Sequence, residues 1–417
     1  MEDFKRLNFF VGINGAGKSR YLNKLAEYYN SQDCNILEIS NTVFDRFYFS
    51  SKKIKKLTIS NNKKIFLQAM LGIFGRINYD RSNDDIYKNL RILANSFKYA
   101  GYDSKIKIEI ISRENNMPLD LNNLDQDYLI NEAKKHHRDH NEFSFLFEDF
   151  NEIKYSIYQL INSRNDLIFD FDENHYLTNN LKKISKIFDF FYKLIGFDFN
   201  FFVKKHSNFI PIKSISSGEL HIILNMLFIC SNIDTKRKNI ILIDEPEVSL
   251  HPKWQKDYVT YLFDYFYYYN CTFFFATHSP LIMSKIQYQE QEQEQEQEQE
   301  QEQEQEQEQE QEQEKKIEKN YKIFKVNNLE ITPIYENDDF SIESLYWEVF
   351  RVLTPQSSFL SRYLVDLMSK MDSMKIKLIS KESYDYRLIL EELEELKLES
   401  FSCKQKKILD KIIQEYK

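Results

Sequence analysis

Residues Gly12-Ile13-Asn14-Gly15-Ala16-Gly17-Lys18-Ser19 follow directly on the apolar run Leu7-Asn8-Phe9-Phe10-Val11. This order constrains the fold more than any other stretch of the chain. A strand has to deliver the backbone into the loop, and glycines have to let successive N–H groups turn toward one anion. A helix has to start at Lys18-Ser19 so that its N-terminus faces the same anion. Arg20-Tyr21-Leu22-Asn23-Lys24-Leu25-Ala26 then sets Leu22, Leu25 and Ala26 on one face at helical spacing, as for a helix packed on a sheet. A pattern this short also arises as a plain Gly-rich turn, so the rest of the chain has to decide.

The chain has 417 residues, 42% hydrophobic and 15% aromatic, enough to build one large core or two to three smaller ones. Its formal charge of −9 comes from a run in which Gln and Glu alternate from Gln289 to Glu314; without the 13 glutamates of that run the balance is +4. The remainder is near neutral or mildly basic, which permits contact with nucleic acid without arguing for it. Cys34, Cys230, Cys271 and Cys403 stand far apart, with no Cys-x-x-Cys pair, so neither a zinc site nor a disulfide framework is expected and a reducing cytoplasm fits best. No basic-then-apolar leader opens the chain, and no run of about 18 uncharged apolar residues occurs. The expectation is a cytoplasmic protein that does not span a membrane.

The pattern predicts six segments. Residues 1–61 form a first α/β part, with Cys34–Ser40 as its second strand. Residues 62–205 form a mostly helical insertion, with helical stripes at Phe66, Leu67, Met70 and Leu71 and at Leu181, Ile184, Ile187 and Phe188, and a strand-like alternation over Lys105–Ile110. No heptad is sustained there, so a long coiled-coil arm is not expected. Residues 206–288 form a second α/β part. Its runs Asn239–Ile243 and Thr272–Ala276 have the unbroken apolar character of parallel strands buried on both faces. Residues 289–314 are the Gln/Glu run, which has nothing to bury and reads as a solvated excursion. Residues 315–339 form an edge hairpin around Asn327-Asn328. Residues 340–417 form a helical C-terminal part, with apolar faces at Leu345, Val349, Leu360 and Leu364.

The second α/β part carries chemistry. Ile240-Ile241-Leu242-Ile243 ends in Asp244-Glu245-Pro246-Glu247, two adjacent carboxylates where an α/β sheet presents ligand groups. Such a pair suits one carboxylate for a hard divalent cation and one for the proton of an attacking water. Upstream, Ser214-Ile215-Ser216-Ser217-Gly218-Glu219-Leu220 opens a helix with Leu220, Ile223, Leu224 and Leu227 on one face. Ser and Gly at that start read either as a second anion site or simply as an N-cap. Ala276-Thr277-His278-Ser279-Pro280 ends the next strand on a histidine, and Ser249-Leu250-His251-Pro252 lies between the two strands.

These four motifs, in this order, resemble the ABC-type ATPase head, a P-loop α/β fold with a mixed or parallel central sheet. Their wording is similar to the RecF/SMC-like and OLD-like branch of AAA family ATPases, including ATPase subunits of two-gene antiphage systems of the Septu and PARIS types. The resemblance implies ATP and Mg²⁺ as cofactors. It implies nucleotide contacts at Gly12, Asn14, Gly15, Ala16, Gly17, Lys18, Ser19 and Arg20, and Mg²⁺ at Ser19 and Asp244. It implies Glu245 as catalytic base and His278 as switch histidine. Ser216, Ser217, Gly218 and Glu219 would then meet the nucleotide of a second subunit, so hydrolysis would need a head-to-head dimer or higher homo-oligomer. The chain departs from the family in having only eleven residues before Gly12, which leaves the adenine contacts unassigned. Gln68 lies in a helical stretch and is not assigned as the loop glutamine.

A nuclease is not expected within this chain. The one Asp-x-Asp, Asp170-Phe171-Asp172, precedes the signature and reads as a strand end. His136, His137 and His140 read as a solvated basic face, and Asp120 to Asp127 as an ordinary turn. The leading expectation is therefore an ATPase that controls a separately encoded effector, a nuclease, in antiviral defence. The alternative is a DNA-repair or chromosome-maintenance ATPase that clamps DNA through a basic stripe of Lys182-Lys183 and Lys204-Lys205-His206. A transporter subunit is disfavoured by Pro246-Glu247 and Leu250-His251-Pro252. A nucleotide-gated scaffold without turnover is disfavoured by the intact Glu245.

Overall fold

The computed structural model describes residues 4–42, 46–58, 66, 83–114, 116–136, 150–161, 166–172, 177–194, 196–284, 320–334, 342–351, 358–376, 383–399 and 403–416. Within them the chain begins β1 (Leu7–Val11), α1 (Lys18–Asn30), β2 (Cys34–Ser40) and β3 (Ile54–Thr58). It continues α2 (Asn83–Tyr99), β4 (Lys105–Ser112), α3 (Gln126–His136), α4 (Phe150–Leu160), β5 (Leu167–Asp170), α5 (Leu177–Lys193), β6 (Phe197–Lys205) and β7 (Asn208–Pro211). Then come α6 (Ser217–Asn232), β8 (Lys238–Asp244), α7 (Pro252–Phe266), β9 (Cys271–Thr277), β10 (Tyr321–Asn327) and β11 (Glu330–Pro333). Helices α8 (Ile342–Phe350), α9 (Ser358–Ile376), α10 (Tyr384–Glu399) and α11 (Cys403–Tyr416) close the chain. The α/β class and mixed sheet predicted from the sequence are what the chain adopts.

Two compact units result: Met1–Tyr21, Gln255–Tyr261 and Phe275–Lys417 form the first, Leu22–Trp254 and Leu262–Phe274 the second. In the first unit the strand order is β11-β10-β1. All five residues of β1 are buried, and β1 runs parallel to β10 with Phe9 opposite Ile323. The expected hairpin is there: β10 and β11 pair antiparallel, with β11 at the sheet edge. Aromatic faces lock this layer, Phe9 stacking on Phe275 at 5.1 Å and Phe10 lying 5.4 Å from Phe324 and 4.8 Å from Tyr21. The C-terminal helices bury Trp347, Leu367, Leu393, Leu396, Leu409 and Ile413 in one cluster, against which Leu364 packs. Leu345 and Val349 are also buried, so these stripes are core. The side chain of Leu360 lies outside the described residues.

In the second unit β2 pairs in parallel with both β8 and β3. Ile240, Ile241, Leu242 and Ile243 are each 0% exposed, the full burial that their unbroken apolar run implies. Each contributes on the order of 1.5–3 kcal/mol by leaving water. Strand β3 has no counterpart in the sequence reading; its Lys56 reaches back to the buried Glu38 of β2 at 3.3 Å. A second, antiparallel sheet has the order β5-β4-β6-β7. The segment 62–205 therefore holds a sheet as well as helices. The signal was the period-2 burial of Phe197, Phe199, Phe201 and Val203 along β6. Phe188 of α5 covers this face 4.7 Å from Phe199, and Phe66 sits 4.8 Å from Phe201.

Helix α6 is buried on nearly every side, more than the single apolar face read from Leu220, Ile223, Leu224 and Leu227. Helix α2 packs along it, with Asn89 Nδ2 donating to Cys230 O at 3.5 Å. No helix among the described residues is long and apolar enough to cross a membrane. The run Gln289–Glu314, Gln68, His137 and His140 lie outside the described residues.

Candidate functional site

In the first unit, β1 leads into the glycine loop. Gly15 and Gly17 take φ of +83° and +100°, conformations that an L side chain adopts only at a cost. Lys18 is 6% exposed, and its ammonium turns back over the loop, donating to Gly12 O at 2.7 Å and Ile13 O at 3.1 Å. A phosphate group competes well for that ammonium, because it offers a full opposite charge where the two carbonyls offer only dipoles. Tyr21 N donates to Gly17 O at 2.9 Å, so the helix starts at the loop's last glycine. Ala16 is buried, Ser19 half-buried, and Asn14 and Arg20 face solvent.

The turn of the β10–β11 hairpin props this loop. Leu329 N donates to Ala16 O at 3.3 Å, and a Cβ on Gly17 would stand 2.8 Å from the Leu329 side chain. Asn328 and Leu329 both have positive φ, the backbone that lets a two-residue turn fit the twist of its strands. The sequence announced the hairpin, but not its work as a wall of the loop. His278, half-buried, follows β9 in the same unit. Beside it, Ser279 N donates to Thr277 Oγ1 at 2.9 Å, and Ser279 Oγ donates to Gln255 Oε1 at 2.8 Å.

In the second unit β8 ends on Asp244, which is 0% exposed and whose carbonyl accepts from Asn41 N at 3.3 Å. Glu245 follows with φ of +52°, a strained setting for a non-glycine residue and one that clusters at functional sites. Turns from Glu245 O to Val248 N and from Glu247 O to Leu250 N shape the rest of the loop. Glu245 is 7% exposed, and its Oε1 accepts from Arg46 Nη1 at 2.6 Å. Carboxylates are buried this deeply only when a cation or donors compensate them. Asp244 carries carboxylate oxygens and Ser19, in the first unit, a hydroxyl, each by itself a hard donor of the type Mg²⁺ takes.

The signature lies in the same unit as Asp244 and Glu245. Ser216 is the N-cap of α6 and forms a capping box with Glu219. Glu219 Oε2 accepts from Ser216 N at 3.0 Å and Tyr102 Oη at 3.0 Å, and Lys205 Nζ lies 3.3 Å from Oε1. Burial pushes the Glu219 carboxyl up, but Ser216, Tyr102 and Lys205 outweigh it and hold the group below the usual range. An acceptor occupied in this way serves the helix start, while exposed Ser216 and Ser217 keep the helix N-terminus open to solvent. Gly218 is buried against Ser249 and Trp254. The N-cap reading of this turn is the one met by its hydrogen bonds.

Other candidates have structural work. Asp170 accepts from Ser104 Oγ at 2.6 Å and Asp172 N at 3.0 Å, and pairs with Lys105 at 3.1 Å. Asp120 caps its own turn through Asn122 N at 3.1 Å. Of the basic stripe, Lys204 pairs with Asp103 and Lys205 with Glu219, which reduces the charge offered to a phosphate backbone. Arg46, Tyr102 and Leu329 were missed from the sequence, since none sits in a motif or a periodic run.

Residues 74–284, half of the chain, match the family model described as "AAA domain, putative AbiEii toxin, Type IV TA system". The matched span contains the signature, the Asp244-Glu245 strand end and His278; the glycine loop precedes it. No curated protein matches the chain.

Proposed function

Because this chain belongs to that AAA-domain family, we propose that it binds ATP with Mg²⁺ and hydrolyses it, and that turnover controls a separately encoded effector. The glycine loop and Lys18 take the β- and γ-phosphates, with Asn14, Ala16 and Arg20 flanking them. Ser19 and Asp244 hold Mg²⁺, which when bound neutralises the phosphate oxygens. Glu245 takes the proton of the attacking water, and His278 orients that water. The observation that carries the reading is the Lys18 ammonium drawn back to Gly12 O and Ile13 O across a loop that turns on two left-handed glycines, Gly15 and Gly17.

Exposed Ser216 and Ser217 at the start of α6 support a further part of the proposal, a head-to-head dimer in which each Ser216-Ser217-Gly218-Glu219 turn meets the partner's nucleotide. The effector is a nuclease, and the setting is antiviral defence. The family description names a toxin of a TA system, which favours such conflict systems over chromosome upkeep. The paired state of Lys204 and Lys205 weighs the same way against a DNA clamp. Size-exclusion with light scattering tests the assembly. With ATP and Mg²⁺, Glu245→Gln is expected to accumulate as a dimer and Lys18→Ala to remain as without nucleotide. A Glu245→Gln profile indifferent to ATP would overturn the dimer.

A further inference from the structure

Lys325 joins two parts of the first unit, the strands beside the glycine loop and the C-terminal helices. It lies on β10 opposite Val11, the last residue before the loop, and its ammonium donates to Glu348 O at 2.7 Å. Glu348 is in the last turn of α8, among the carbonyls that a helix leaves without an internal partner, and the helix dipole favours a cation at that end. The other end of β10 is held by the loop itself. A Cβ on Gly12 would stand 2.7 Å from Val326 O, and Leu329 N, in the turn after β10, donates to Ala16 O at 3.3 Å.

The peptide between Ala16 and Gly17 is planar and trans, so its carbonyl and its N–H point in opposite directions. With the carbonyl held by Leu329, the Gly17 N–H is turned away from the hairpin, to the side where the ATPase reading places phosphate. An anion bonded to that N–H polarises the peptide and strengthens the bond from Leu329, as successive hydrogen bonds do in a chain.

The helical end of the line is fixed as well. Helix α8 stops at Arg351, whose left-handed backbone (φ +56°) accompanies a bond from its N–H to Trp347 O at 3.0 Å. The Arg351 guanidinium lies 5.2 Å from the Trp347 ring centroid and donates to Glu392 Oε1 at 3.0 Å. Trp347 Nε1 donates to the same oxygen at 3.2 Å, and Tyr363 Oη donates to it too. Burial pushes the Glu392 carboxyl up, but Tyr363, Trp347 and Arg351 outweigh it and hold the group below the usual range. One carboxylate of α10 thus gathers α8 and α9, while Trp347 sits in the core they share with α11. Helix α8 also packs on the turn Pro280–Met283 that follows His278.

Resting on the ATPase reading, we propose that the C-terminal helices read the state of the glycine loop through the β10–β11 hairpin, with Lys325 as the link. Phosphate in the loop tightens the bond from Leu329 to Ala16, and β10 is held more firmly. Lys325 carries that restraint to the end of α8, and Glu392 passes it to α9 and α10. Coupling of this kind acts in both directions, so a partner that rearranges these helices changes the affinity of the loop for nucleotide by the same factor.

Amide hydrogen exchange of the full chain, with and without Mg²⁺ and the β,γ-imido analogue of ATP, tests this in the unaltered protein, Lys325→Met and Lys325→Arg. In the unaltered protein the nucleotide is expected to slow exchange at the glycine loop, and in α8 by about fivefold or more, the low end of common coupling factors. Lys325→Met keeps the stem and loses the ammonium, so protection is expected to remain at the loop and to disappear from α8. Lys325→Arg, still a cationic donor, is expected to keep both. Exchange in α8 that ignores nucleotide while the loop is protected overturns the coupling and leaves nucleotide binding standing. A response of α8 retained in Lys325→Met overturns the link through Lys325. No protection at the loop of the unaltered protein overturns nucleotide binding, and the coupling with it. The comparison within the unaltered protein needs no variant, so it decides the coupling even if Lys325→Met does not fold.

Discussion

The carbonyl oxygen of Ser249 lies 2.5 Å from the point where a Cβ on Gly218 would stand, and the Trp254 ring 3.2 Å from it. The signature glycine is thus also a packing contact, pressed against the loop that follows Asp244 and Glu245. Its absent side chain is demanded by this chain's own backbone, whatever a second subunit brings. Gly218→Ala is expected to lower unfolding stability by about 1–3 kcal/mol, the cost of overpacking against atoms that cannot move aside. Thermal or urea unfolding without nucleotide measures it, and an unchanged midpoint would show that the loop shifts freely.

Gly15 and Gly17 both have positive φ, but only Gly17 also has a neighbour in the way. Gly15→Ala carries the backbone cost alone, roughly 1–2 kcal/mol. Gly17→Ala adds the clash with Leu329, so it is expected to weaken ATP binding more. Adding Leu329→Ala to Gly17→Ala recovers part of the loss, read by titration calorimetry. Equal defects in the two single variants would contradict the hairpin's role as a wall.

His221, on α6, is 2% exposed, and burial pushes its pKa down from 6.5 to about 3, with the Val248 backbone pulling weakly the other way. The folded pKa lies below the unfolded one, so the stabilising contribution is complete above pH 6.5 and is lost as pH falls toward 3. Between those limits this one group gives a slope of up to about 1.4 kcal/mol per pH unit. Urea unfolding from pH 7 to 4.5 is expected to steepen with acid, and His221→Gln to flatten it even though the variant is less stable overall. Parallel slopes for the two proteins would show that the histidine is hydrated.

Much of this site was legible because its parts are local. A strand, a glycine loop and a helix lie within Leu7–Asn30, and an apolar strand ending in two carboxylates lies within Lys238–Glu245. The antiparallel sheet of residues 105–211 was read only as far as β4, because the aromatic alternation of β6 sits next to the helical stripe of α5 and was absorbed into it. What stayed hidden is non-local. Arg46 meets Glu245 across 199 residues and Asn35 meets Asn239 across 204, and no spacing rule along the chain points to either pair. Glu219 is a case between the two. Its capping box is written in Ser-Ser-Gly-Glu, while Tyr102 and Lys205, its other partners, come from the insertion.

ATP turnover through Lys18 and Glu245 is the proposal on which the dimer and the effector both depend. The direct test is phosphate release by the purified full chain beside Lys18→Ala and Glu245→Gln, each with a check that ATP binds. Steady turnover is expected in the unaltered chain, neither binding nor turnover in Lys18→Ala, and binding without turnover in Glu245→Gln. Turnover persisting in Glu245→Gln, or ATP binding undiminished in Lys18→Ala, would contradict it.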